Sequence, residues 1–346
     1  CQAGYIHRPV REKSKERLEN LAETLIKNTG YEEISLTSLS TSDYRDFFPL
    51  AECLIEKFKP MNVNLSLPSL RLDSISLDLL DKISQVRKSG LTFAPEAGTQ
   101  RLRDVFNKGL TEEDIMNACS LAFRKGWNNV KLYFMIGLPT ETYEDLDGIV
   151  DIANKVVETY YAIPKAERTK GLSVTVSAST FVPKPFTPFQ WAPMNTKEEF
   201  LDKANKTRKG IMSQLNQKHI KYNWHEADAS MMEGVLARGD RRLNQVILKA
   251  YQKGCIYDAW GEYFKFDTWM ETFDECGVDP FFYTTRDRAE DEIFPWDILN
   301  CGVSKSFLLK EWKRALANKP SSNCRLSCLG CGAASYGVGI CMEKKS

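Results

Sequence analysis

No apolar run in this chain approaches the roughly 18 to 20 residues that cross a bilayer as a helix, so a helical membrane protein is not expected. Its first residues lack the charged-then-apolar pattern of a secretory leader. Net charge is nearly absent as well. The 47 basic and 46 acidic residues leave +1, which gives no general electrostatic pull toward nucleic acid or anionic lipid; a local basic patch stays compatible with that balance. The composition is not that of a disordered chain either, since 42% of the residues are hydrophobic and 27% charged. At 346 residues there is material for one large domain and a smaller one.

Ten cysteines are present, and their distribution argues against a secreted disulfide framework. Cys53 and Cys119 sit among apolar helical residues and read as buried thiols. Cys255, Cys276 and Cys301 are scattered singly. Cys324, Cys328, Cys331 and Cys341 crowd the C-terminal end, the first three as C-x3-C-x2-C, a set that suits tetrahedral zinc or an auxiliary iron–sulfur cluster. A reducing compartment, the cytoplasm, is the expected location.

Leu18, Leu21 and Leu25 recur at helical spacing and predict a helix over 13–28, with Ser14 as its cap and Gly30 as its stop. Strands are expected at 33–39, 62–67, 91–94, 129–136 and 172–181. Helices fall between them at 43–58, 76–86, 99–106, 111–126 and 142–161, with Thr99 and Thr111 as caps. Five strands alternating with helices imply a parallel sheet, open or closed into a barrel. In such sheets chemistry gathers in the loops after the carboxyl ends of the strands.

Beyond Thr196 the repeat is expected to stop, with helices at 197–216, 228–238 and 243–254. His225 to Ser230 reads HEADAS, but a zinc-protease helix needs a second histidine where Ala229 stands. Arg238, Arg241 and Arg242 around Asp240 read as a solvated helix end, with phosphate binding as the other reading. The aromatic stretch 258–273 reads as core.

Several loops share a resemblance. GLPTET, 137–142, follows the most apolar strand and is similar to the adenine-contacting turn of radical S-adenosylmethionine (SAM) enzymes. TSLSTSDY, 37–44, resembles their second-strand segment, which hydrogen-bonds the cofactor's amino group. PEAGTQRLRDVFNKGLT, 95–111, resembles their fourth-strand segment, and TFVPKPFTPFQW, 180–191, the sixth-strand ending of the cobalamin-binding-type branch. Cys1, followed by a small glycine-containing turn and a basic segment, resembles the last cysteine of the family's CxxxCxxC cluster loop. The matches run in order from Cys1 to Trp191, and on them the chain is identified as a member of the radical SAM superfamily, resembling its cobalamin-binding-type proteins.

The resemblance implies an α/β fold: a partial TIM-like (βα)6 barrel lacking its first strand over 1–195, a helix-rich region over 196–320 and a cysteine-rich metal-binding tail over 321–346. The family's first strand, first two cluster cysteines and cobalamin domain would precede Cys1, so the chain reads as truncated and inactive alone. By the same resemblance Cys1 is a ligand of a 4Fe-4S cluster, with Ser40, Glu96, Lys108, Gly137, Leu138 and Pro139 around SAM. Glu96 would face the ribose and Lys108 the methionine carboxylate. Each has a plainer reading: Glu96 as a helix N-terminal charge, Lys108 as a solvated lysine, Gly137 and Pro139 as a strand end, and Cys1 as a lipidated or incidental terminal residue. The aromatic and proline-rich stretch 181–191 reads as one wall of the active-site mouth, or as packing against a helix.

The implied reaction is reductive cleavage of SAM to a 5'-deoxyadenosyl radical that modifies a substrate the sequence does not name. An electron donor of flavodoxin or ferredoxin type would serve it. Two other readings stay open: an RNA methylthiotransferase-like enzyme, which leaves nucleic acid as a partner unsettled, and a non-catalytic metal-binding module.

Overall fold

A computed structural model describes residues 1–8, 10–38, 41–66, 91–324 and 326–336. The helix expected at 76–86 lies outside these residues, as do Ser40 and Cys341.

Six strands form two parallel sheets among the described residues. β1 (Glu33–Ser35) pairs with β2 (Asn64–Ser66). The larger sheet has the order β3 (Leu91–Glu96), β4 (Asn129–Ile136), β5 (Ser173–Thr180) and β6 (Ile220–Trp224), each parallel to the next. Parallel neighbours require a crossover, and helices supply it. In chain order the helices are α1 (Gln2–Ile6), α2 (Lys15–Thr29), α3 (Phe47–Phe58), α4 (Gln100–Val105), α5 (Glu112–Arg124), α6 (Tyr143–Tyr161) and α7 (Lys197–Met212), followed by α8 (Ala227–Arg238), α9 (Leu243–Gln252), α10 (Phe266–Glu275), α11 (Phe281–Thr284) and α12 (Lys305–Leu316).

The core follows from the strand period. Along β4, Val130, Leu132, Phe134 and Ile136 alternate onto one face and are completely buried. They meet Ile115, Cys119 and Phe123 of α5 and Ile152, Val156 and Val157 of α6 in one cluster. Burying each large apolar side chain contributes about 1.5–3 kcal/mol. Burial pushes the Cys119 thiol up to about 12, which makes it an inert packing group. Caps set the helix ends as the sequence indicates: Ser14 accepts from the Arg17 amide at 3.3 Å, and Gly30, at φ 69°, closes α2. Thr111 and Asp114 form a capping box on α5.

Other expectations are corrected. The repeat does not stop at Thr196, because α7 leads into β6, which joins the sheet beside β5. Ile220, Tyr222 and Trp224 alternate with Lys221 and Asn223, so the period-2 signal exists but covers only five residues. The turn after Cys1 is the short helix α1, and α3 begins at Phe47 after a 3-10 turn at Thr41–Asp43. Cys53 is half-buried. The aromatic stretch divides: Trp269 and Phe273 are core, whereas Trp260 and Tyr263 are more than half exposed. Among the described residues no helix is long and apolar enough to cross a membrane.

Candidate functional site

At the carboxyl end of β3 the strand is broken by its own sequence. Pro95 has no N–H to give the ladder, and the register with β4 jumps between Phe93 and Glu96. Glu96 emerges at φ 69°, the left-handed region that a non-glycine residue enters only at a cost. Its carboxylate pairs with the Lys108 ammonium at 3.2 Å, and about a quarter of the Glu96 side chain and a third of the Lys108 side chain stay exposed. Arg103 supports this loop from beneath. Its buried guanidinium donates to the Ala97 carbonyl at 2.9 Å, and its own carbonyl receives the Lys108 amide at 3.0 Å.

The loops after β3 and β4 are fused. Gly98 packs so closely on α6 that a Cβ there would strike the backbone of Asp145, Gly148 and Ile149, and Gly148 makes the reciprocal approach to Gly98. Asp145, 2% exposed, binds the two loops chemically. It accepts from the Thr99 hydroxyl and the Arg101 guanidinium on one side, and from the Thr142 amide at 2.8 Å and hydroxyl at 3.1 Å on the other. Burial alone would raise its pKa, but the hydrogen bonds from Thr99, Thr142 and Arg101 outweigh it and hold the carboxyl below its ordinary range.

The GLPTE turn is held by Glu141, whose side chain is 1% exposed. Its oxygens accept the Gly137 amide at 2.9 and 3.0 Å and the Lys203 ammonium at 2.9 Å. Burial pushes this carboxyl up, and Lys203 partly offsets it. Gly137 stands at φ 90°, and a Cβ there would come within 2.6 Å of Asn195 Oδ1. The backbone conformation and the closeness of Asn195 therefore both favour glycine here. Leu138 is buried with Ala97, Leu102, Val105 and Phe181, so its side chain belongs to the core, whereas Pro139 is half-buried.

Cys1 joins this end of the sheet. Its neighbour Gln2 donates through Nε2 to the Pro185 carbonyl in the loop after β5 at 3.2 Å. That loop packs outward onto the C-terminal region: Phe189 meets Trp312 of α12 edge-on at 5.8 Å, and Gln190 accepts the Trp296 indole N–H at 2.9 Å. The structure thus joins Glu96 to Lys108, sets Gly137 and Pro139 at the end of the adjacent strand, and places the residue after Cys1 against the loop after β5.

The tail cysteines are not gathered in the same way. Cys324 and Cys328 are exposed and Cys331 is half-buried. Among the described residues no three His, Cys, Asp or Glu side chains are arranged for a metal. Cys1 offers one exposed thiol at the mouth, so the described donors do not make up a cluster site, which takes several thiolates. The Glu96–Lys108 pair, by contrast, presents a carboxylate and an ammonium that are both partly exposed at this end of the sheet. Sequence reasoning missed Glu141 and Asp145 as the groups that hold this site. Asp145 was findable, because Thr142-x-x-Asp145 is a capping-box spacing.

The sequence model of the Radical SAM superfamily matches residues 1–153. An uncharacterized protein of Methanocaldococcus jannaschii is 32% identical over 278 residues, which cover 80% of this chain and 57% of that protein. The chain therefore spans little more than half the length of this relative. Among solved structures, the radical SAM enzyme coproporphyrinogen III oxidase (HemN) of Escherichia coli is similar over 59% of this chain and 47% of its own, at 12% identity and a TM-score of 0.37. Over residues 1–153, a little under half of its length, this chain is thus similar to the Radical SAM superfamily.

Proposed function

We propose that the loops after β3 and β4 bind SAM and that the protein is a radical SAM enzyme. The observation that supports this most is the Glu96–Lys108 pair, partly exposed at the carboxyl end of β3. Lys108 acts as a point charge for the methionine carboxylate. Glu96, turned outward by its positive φ, accepts from ribose hydroxyls. Glu141 and Asp145 fix the backbone of both loops so that these groups do not have to be ordered when the ligand arrives. In this superfamily a reduced 4Fe-4S cluster supplies the electron that cleaves SAM to methionine and a 5'-deoxyadenosyl radical. The electron would come from a donor of flavodoxin or ferredoxin type. Cys324, Cys328, Cys331 and Cys341 are proposed as ligands of a separate metal, zinc or an auxiliary cluster; elemental analysis of the purified protein and of its serine variants tests that. The main reading is tested by incubating the full-length protein anaerobically with SAM and a reductant. Release of 5'-deoxyadenosine and methionine is expected, and their absence from a cluster-loaded preparation overturns it.

A further inference from the structure

The end of α8, read from sequence as solvated, is instead the site of a buried cluster of positive charge. Arg238 is 1% exposed, and the Arg288 side chain is 2% exposed. Arg286 and Arg242 lie above them, each over the Phe282 ring at 4.2 and 4.8 Å. Two carboxylates answer these four guanidiniums. Asp240 is engaged by Arg242 at 2.7 Å and by the Tyr283 hydroxyl at 3.1 Å. Glu292 is shared between Arg286, at 2.5 Å, and Arg288, at 3.3 Å. The neighbouring Lys305 is paired with Asp297 at 2.5 Å.

Arg238 has no carboxylate among the described residues. Its contacts are the carbonyls of Thr284 and Gln190, both at 3.5 Å, the outer limit of a hydrogen bond. The Nε atoms of Arg238 and Arg288 are buried without an acceptor. A buried, unpaired guanidinium costs several kcal/mol, and orphaned donors add to that cost. Burial, with the neighbouring guanidiniums, pushes Arg238 down to about 9 and Arg288 to about 10, so both still carry their charge at neutral pH. A charge that persists in such surroundings calls for an anion.

We propose that this cluster binds a small oxyanion, a carboxylate or phosphate group, between Arg238 and Arg288. Guanidinium forks suit such a group because they present parallel donors to paired oxygens. Position supports a ligand. Gln190, whose carbonyl accepts from Arg238, belongs to the loop after β5, and on its other side lines a cleft of about 210 Å³ with Phe186, Trp296, Asn300 and the Lys305–Asp297 pair. Glu292 then acts as the internal competitor that shields two of the arginines while the ligand is away. None of this requires the cluster or SAM.

The test is titration of the full-length protein with inorganic phosphate and, separately, malonate, at an ionic strength held constant with chloride, read by calorimetry and thermal unfolding. Saturable binding and a rise in Tm with one of the two are expected, and which one responds identifies the group. Arg238→Gln loosens that binding about tenfold or more. Glu292→Gln, which removes the competitor, tightens it. That second variant decides the matter if Arg238→Gln fails to fold, because a purely structural arginine would not gain affinity for an anion. Equal responses to phosphate, malonate and chloride, or an affinity that neither variant changes, overturns the proposal.

Discussion

At the carboxyl ends of β3 and β4 one buried carboxylate, Asp145, answers four donors, whereas at the end of α8 two guanidiniums, Arg286 and Arg288, share the single carboxylate of Glu292, and Arg238 pairs with no carboxylate among the described residues. The first region is complete as it stands. Its polar groups are matched, and Gly98 and Gly148 let the two loops touch backbone to backbone. The second is charged beyond what its own residues neutralise. A saturated network makes a rigid frame for a site, and an unsaturated one marks where something else binds.

Substitutions should separate the two regions by size and direction. Asp145→Ala takes the acceptor from the Thr99 hydroxyl and from the Thr142 amide and hydroxyl, while Arg101, 40% exposed, keeps its bonds to Thr140; at about 1–3 kcal/mol for each orphaned donor, the largest loss is expected here in urea unfolding. Gly98→Ala drives a methyl into the backbone of α6, which should cost about 1–3 kcal/mol by the same measurement. Acid provides a third contrast. The Asp145 carboxyl titrates below its ordinary 3.8 in the folded chain, so its contribution is present above that pH and is lost as pH falls through the folded value. Asp145→Asn should therefore flatten the acid limb of the stability curve, and an unchanged limb would show that Asp145 is not the group responsible. The smallest effect belongs to the other region. Arg238→Met, in buffer free of phosphate and carboxylates, should change stability by no more than about 1 kcal/mol, because it removes an unpaired buried charge along with its packing. A loss as large as that of Asp145→Ala would mean that the arginine is satisfied by the fold itself.

The difference between the regions was only partly legible in the sequence. Long periodic segments gave themselves away: α2 with Ser14 and Gly30, β4 with its alternating Val130, Leu132, Phe134 and Ile136, and α5 with Thr111. Local caps and period are encoded within a few residues, so they survive without tertiary context. β6 escaped because five residues give a weak period between two helices. Glu96 and Lys108 could be singled out as residues, but the positive φ and the ion pair that join them arise from a bulge at Pro95 and a turn twelve positions apart in sequence. Arg238 misled for a deeper reason. A run of arginines around Asp240 has the composition of a solvated helix end, and its burial comes from Gln190 and Thr284, each more than forty residues away.

The central claim, that SAM sits against Glu96 and Lys108 at the mouth framed by Asp145 and Glu141, is tested most directly by titrating SAM into the anaerobically reconstituted full-length protein. Glu96→Ala and Lys108→Ala should each weaken binding about tenfold or more while the fold is retained. Affinities equal to that of the unmodified protein in both variants would contradict it.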